Sequence, residues 1–273
     1  MVLAVKGMNG RVIRTYTLGF GWNHHVRGIR SYNEEAFKAF DYLLFLARKH
    51  GIRLIIPLVN NHNGDDSQGS LGFGSYVDFC AYRGKKPSQF YTDPQLVDDF
   101  KNLVQDVLVR VNTFNGIAYK DDPTVLFWET GNELGGWTGT PPAASWTIAV
   151  AQKIKSIAPK ALVMDGTFGG LNAASLGRFQ YDALVHPQVD GFSNHYYYGG
   201  GDINRAISDT SVVAGQHNKV FILGEFGFQF SVCQDLYSLS LNNAQISGAL
   251  IWALRGHSRD GKIFMRYNLY LQV

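Results

Sequence analysis

A parallel α/β barrel is the fold this sequence predicts, and three features predict it. Seven short apolar runs alternate with stretches of helical periodicity, the runs are apolar on both faces, and nearly every one is finished by polar residues. Strands buried on both faces and joined by helices belong to parallel sheets. A length of 273 residues favours an eight-stranded (β/α)8 barrel over an open doubly wound sheet. Against the open sheet, no G-x-G-x-x-G follows any run and no G-x-x-x-x-G-K-[ST] occurs. No internal repeat or interdomain linker divides the chain, so residues 1–273 read as one domain.

Taken in order, Arg11 to Tyr16 reads as a strand opened by Asn9-Gly10, with Arg14 and Tyr16 on one face by the period of two. Ser31 and Glu34 have capping-box spacing, and Phe37, Phe40, Leu44 and Ala47 then recur at helical intervals up to Gly51. Arg53 to Val59 is the next strand, ending in Asn60-Asn61-His62, and a long Gly-rich, aromatic loop is expected from about Asp65 to Tyr91. Asp93 as cap and Pro94 at the first helical position start a helix that turns Leu96, Phe100, Leu103 and Val107 inward. Thr124 to Trp128 is a strand leading into Glu129-Thr130-Gly131-Asn132-Glu133. A helix from Trp146 to Ile157 and strands at Ala161 to Asp165 and Val189 to His195 follow. A weaker helix is expected around Arg205 to Gly215, before strands at Val220 to Leu223 and Gly248 to Leu254.

Composition narrows the function classes. The chain is 45% hydrophobic and 17% charged, enough apolar material for a sizeable core, and its net charge of +3 is scattered. That excludes a concentrated field for nucleic acid or an anionic membrane. No apolar run is long enough to span a bilayer, and Met1 to Val5 is too short for a signal-peptide core. Cys80 and Cys233 are too few for a disulfide framework and are not spaced as a metal site. The His24-His25 pair and His62 lack a carboxylate or cysteine at ligand spacing, so they read as ordinary loop histidines, and neither a metal nor a cofactor is expected.

Two apolar runs end in carboxylates. Glu133 follows the Thr124 run and Glu225 follows Val220-Phe221-Ile222-Leu223-Gly224, and two acids at the carboxyl ends of strands suggest a pair. Arg14 on an apolar strand needs an anionic partner. Glu129 shares strand parity with Glu133 and is the main competitor for its role; it reads as an inward hydrogen-bonding group.

Arg14, Asn132-Glu133, His195-x-Tyr197, Glu225 and Trp252, in that order and each at a strand end, resemble the signature of glycoside hydrolase family 5. Leu58-Val59-Asn60-Asn61, Phe90-Tyr91-Thr92 and Trp128-Glu129-Thr130-Gly131-Asn132-Glu133-Leu134 are most similar to its endo-β-1,4-mannanases. The resemblance, from about Gly10 to Asp260, implies a secreted, retaining hydrolase of a β-linked polysaccharide or oligosaccharide, without cofactor, that cleaves β-1,4-mannosidic bonds; an exo-β-mannosidase or β-1,4-glucanase of the same family, or an inactive carbohydrate-binding barrel, are the alternatives. It makes Glu133 the acid/base and Glu225 the nucleophile. Arg14, Asn132, His195 and Tyr197 support them, and Trp252 is the stacking platform for the sugar. It also implies an (β/α)8 barrel lacking its first strand and helix and the usual last helix. Either the tail from Lys262 to Val273 or residues Val2 to Val5 are then expected against the open edge. His62 stands where mannanases often carry Trp, while Trp22, Trp137 and Tyr196 are candidates for lining further subsites.

Overall fold

The computed structural model describes residues 1–62, 74–136, 141–168, 179–197 and 199–254. In chain order they form α1 (Val2–Gly7), β1 (Val12–Arg14), β2 (Val26–Gly28), β3 (Ser31–Tyr32), α2 (Glu34–His50) and β4 (Arg53–Pro57). Then come α3 (Tyr76–Ala81), α4 (Pro94–Leu108), β5 (Val125–Glu129), α5 (Ala144–Ile157), β6 (Val163–Asp165) and α6 (Tyr181–Val185). The rest is β7 (Gly191–Tyr196), α7 (Asp202–Thr210) with a π-helical turn at Ser211–Gln216, β8 (Val220–Phe226), α8 (Phe230–Asn242) and β9 (Gly248–Ile251).

Seven strands make one parallel sheet in the order β1-β4-β5-β6-β7-β8-β9, the sequential order of a (β/α)8 barrel. Each predicted strand is present within a few residues of its expected bounds. Among the described residues β1 and β9 each have one neighbour. Burial follows from that: β1 is half-buried throughout, β9 ends exposed, and β6 and β7 are buried at every position.

The strand period splits the core in two. Ile55, Phe127, Met164 and Ile222 pack together on one side of the sheet. Leu54, Ile56 and Trp128, one residue out of phase, join the larger cluster with Leu96, Phe100 and Val104 of α4 and Val150 and Ile154 of α5. Glu129 has the parity of Phe127, so it stands on the inner side, at the carboxyl end. Asp93 caps α4 as expected, its Oδ1 accepting from the backbone N–H of Gln95 and Leu96.

Three expectations are corrected. Ser31 does not cap α2: Asn33 is its cap residue, without a side-chain bond, because Ser31 is committed to pairing with Gly28 in the β2–β3 hairpin. The region expected as one long loop contains α3, which Ser75 caps in a reciprocal box with Asp78. Its Phe79 and nearby Phe90 pack edge-on to each other and to Phe100. Tyr196 lines no subsite; it is buried at the end of β7, where its hydroxyl donates to Asp209 at 2.9 Å. Val2–Gly7, which contains one of the two segments expected against the open edge, is a helix in contact with α2 and with the edge strand β1.

The tail expected to lie against the edge falls outside the described residues. Beside that edge, Phe230 and Leu241 of α8 are 85% and 84% exposed and Ile251 of β9 is 49% exposed. Cys80 and Cys233 are both free thiols.

Candidate active site

Three loops at the carboxyl ends of β4, β5 and β6 are stitched together by backbone and asparagine bonds. Asn60 and Asn132 form a parallel bridge, as do Leu134 and Thr167, extending the sheet past its regular strands. The Asn132 amide donates to Asn60 Oδ1 at 3.0 Å, the backbone N–H of Asn61 donates to the Asn132 carbonyl at 3.0 Å, and Asn61 Oδ1 accepts from the Gly135 N–H at 3.1 Å. Gly166 is obligatory in this weave, since a Cβ there would lie 1.7 Å from the Gly131 carbonyl oxygen. Glu133 adopts φ +52°, a left-handed conformation costly for a residue with a side chain. The surrounding bonds hold it in place.

Arg14 is the hub of the site. Its Nε and Nη2 grip both oxygens of Glu129 at 2.7 and 2.9 Å, Nη1 reaches Glu225 at 2.6 Å, and Nη2 also donates to Asn132 Oδ1 at 2.9 Å. Burial alone would favour losing the guanidinium proton, but the attraction of Glu129 and Glu225 outweighs it and raises the Arg14 pKa. A single planar fork thus orders two carboxylates and an amide. Glu129 serves as the inward hydrogen-bonding group anticipated for it.

The two strand-end acids meet. One oxygen from each of Glu133 and Glu225 and one nitrogen of His195 all lie within 4.8 Å of one another. Their surroundings differ. Glu225 takes Arg14 on Oε1 and the Tyr197 hydroxyl on Oε2 at 2.8 Å. Burial and the neighbouring Glu225 carboxylate push the Tyr197 phenol well above its ordinary pKa, so it stays a donor. Glu133 has an imidazole on each oxygen: His195 Nδ1 on Oε1 at 2.6 Å and His62 Nε2 on Oε2. Burial pushes the Glu133 carboxyl up, and the charges and hydrogen bonds of His195 and His62 outweigh it and hold it below the usual carboxylate range.

Trp252 follows β9 directly, its N–H donating to the Phe226 carbonyl at 2.8 Å, with its ring 5.9 Å from that of Tyr16. Tyr16 accepts from the Asn60 amide at 2.9 Å, which ties the aromatic wall to the loop network. Trp22 is 76% exposed, with Arg27 over its ring. Trp137 lies outside the described residues.

All seven residues singled out in the sequence converge here. His62 was missed as a site residue. It stands two residues after Asn60 at the end of β4, the strand beside the one that leads to Glu133, and that placement was the available signal. Among the described residues, the one His/Cys/Asp/Glu group at metal-ligand separation is Glu133, His195 and Glu225. Its carboxylate oxygens are already engaged by Arg14, Tyr197 and His62.

Comparison with known proteins gives the family of the chain. Residues 24–199 match a family model described as GH family 5 beta-mannosidase-like. The chain is 37% identical over 187 residues to mannan endo-1,4-beta-mannosidase 1 of Oryza sativa subsp. japonica, covering 64% of this chain and 40% of that protein. It is 26% identical over 297 residues to mannan endo-1,4-beta-mannosidase 1 of Solanum lycopersicum, covering 94% of this chain and 73% of that one. The chain spans less than half the length of the rice relative. The fold matches the crystal structure of an endo-1,4-beta-mannanase from Rhizomucor miehei with a TM-score of 0.76 at 22% identity, over 92% of this chain and 80% of that one. The chain belongs to glycoside hydrolase family 5, as a β-mannosidase-like member.

Proposed function

We propose that the chain is a retaining glycoside hydrolase that cleaves β-1,4-mannosidic bonds of mannan-type polysaccharides by double displacement. The observation that carries this reading is the pair of unlike carboxylates, with oxygens of Glu133 and Glu225 within 4.8 Å. That close approach of one oxygen from each side suits the carboxyl separation of about 5–5.5 Å that retaining enzymes use. Glu225, fixed by a cation and a phenol, attacks the anomeric carbon as the glycosidic bond breaks, and Glu133 gives its proton to the departing oxygen. Water then attacks the glycosyl ester, returning a proton to Glu133 and freeing Glu225. Asn132, already oriented by Arg14 and Asn60, is placed to meet the sugar's 2-hydroxyl, and Trp252 to stack on its ring. A polymeric substrate is consistent with export from the cell. Among the described residues no helix is long and apolar enough to cross a membrane.

The family description, β-mannosidase-like, favours one second reading, an exo-acting β-mannosidase. Incubation with mannan, mannohexaose and cellulose side by side separates the two. Internal cleavage yields a ladder of short oligosaccharides from mannan, exo action yields mannose alone, and release of sugar from cellulose only would overturn both.

Tyr197→Phe removes one hydrogen bond to a charged oxygen while Arg14 keeps the other. Such bonds are worth about 1.5–3 kcal/mol. If that stabilisation is realised in the transition state, kcat falls about 10- to 100-fold with KM little changed. A variant with wild-type kcat would show that the phenol does not act on Glu225.

A further inference from the structure

We propose that His62 and Glu133 form a proton-holding couple, in which His62 acts as a positioning residue that keeps the acid's proton within the site and exchanges it with solvent. The inference rests on the acid/base role proposed for Glu133.

The geometry makes the two imidazoles unequal. His195 is 5% exposed and enclosed between the carboxylates, 2.6 Å from Glu133 Oε1 and 3.5 Å from Glu225 Oε2. His62 touches the other oxygen of Glu133, and its side chain is 33% exposed. It is therefore the partner with a path to water. Its backbone is fixed by the lattice that fixes the acid: the His62 N–H donates to Asn60 Oδ1 at 3.2 Å, and the same oxygen accepts from the Asn132 amide. His62 and Glu133 are thus held by one set of asparagine bonds.

Charge accounting points the same way. Described ionisable groups around the couple include His195 on β7, Glu225 on β8, Glu129 on β5, Arg14 on β1 and Tyr197 after β7. Arg14 is paired to Glu129 and Glu225, and Tyr197 keeps its proton, so neither supplies a proton to Glu133. Burial lowers the His62 pKa, but the hydrogen bond and charge of Glu133 and the charge of Glu225 more than compensate and raise it above the ordinary value. One proton shared between a carboxylate and an imidazole belongs to the pair, and it leaves at a pH set by both. While it is present, shifting it from Nε2 to Oε2 turns an ionised Glu133 into a competent acid without uptake from bulk water. After it passes to the leaving oxygen, the couple is left as carboxylate and neutral imidazole. The proton of the attacking water restores it.

The test compares wild type with His62→Phe and His62→Gln on mannohexaose, whose leaving group needs an acid, and on dinitrophenyl β-mannoside, whose leaving group does not. His62→Phe is expected to move the basic limb of kcat/KM on mannohexaose down by about one pH unit and to cost about tenfold at neutral pH. Hydrolysis of the dinitrophenyl glycoside should change much less. Independently of turnover, imidazole NMR should find His62 titrating above its ordinary value in wild type and lower by about one unit in Glu133→Gln. An unchanged basic limb in His62→Phe, or the same His62 titration with and without the Glu133 carboxylate, overturns the couple. If wild type cleaves no β-mannoside, the proposed function fails, and the NMR titration still decides whether the couple exists.

Discussion

Glu225→Ala is expected to lose more than about 10⁵-fold in kcat on mannan, the scale of losing a nucleophile, while remaining folded. Truncation leaves Arg14 gripping Glu129 with both of its parallel donors, so no buried cation is stranded. The space left beside Tyr197 should admit a small anion. Added azide is expected to restore turnover of an activated β-mannoside and give the glycosyl azide of inverted configuration. Glu133→Ala should lose about 10²- to 10⁴-fold on natural linkages and far less on an activated aryl glycoside, because only the former need a proton on the departing oxygen. Near-normal activity on mannan in either variant contradicts the assignment.

Arg14→Met is expected to damage both stability and activity. The guanidinium is the shared partner of two buried carboxylates, with side-chain exposures of 1% for Glu129 and 10% for Glu225. Removing one member of a buried ion pair typically costs about 3–5 kcal/mol, because the remaining charge is left without compensation. Arg14→Lys should recover only part of that, since an ammonium is a point charge and cannot hold both oxygens of Glu129 while reaching Glu225 and Asn132. Denaturant unfolding at neutral pH measures the loss. With Glu225 and Asn132 released from one fork, kcat/KM should fall by at least about 10²-fold even under conditions where the variant is folded. A variant as stable as wild type would mean that the two carboxylates are satisfied by other groups.

Much of this is legible in the amino-acid sequence. Strand positions were legible because apolar runs bounded by Gly, Pro and Asn carry their own signal, and a polar residue at the end of each run marks the catalytic rim of a parallel barrel. Arg14 announced itself as a charge on an apolar strand, and Glu129 as an inward group by its parity with Glu133. What could not be read depended on pairings distant in sequence. Ser31 and Glu34 have the right spacing for a capping box, yet Ser31 is claimed by the β2–β3 hairpin, a competing backbone use invisible at that spacing. Tyr196 looked like a loop aromatic because nothing local marks Asp209 as its partner. His62 looked ordinary because its significance lies in a contact 71 residues away, with Glu133. Likewise, α3 is only 6 residues long, too short for helical periodicity to stand out against the aromatic residues around it.

The central claim is that Glu225 forms a covalent bond to the sugar while Glu133 moves the proton. Incubation with 2-deoxy-2-fluoro-β-mannosyl fluoride, which slows both displacements while its good leaving group lets the first proceed, should trap the glycosyl ester. Mass spectrometry of the digested protein reads out where it forms. A single adduct on the peptide containing Glu225, absent from Glu225→Ala, is the predicted result. An enzyme that hydrolyses mannan but accumulates no adduct, or carries it on Glu129 or Glu133, would contradict the account.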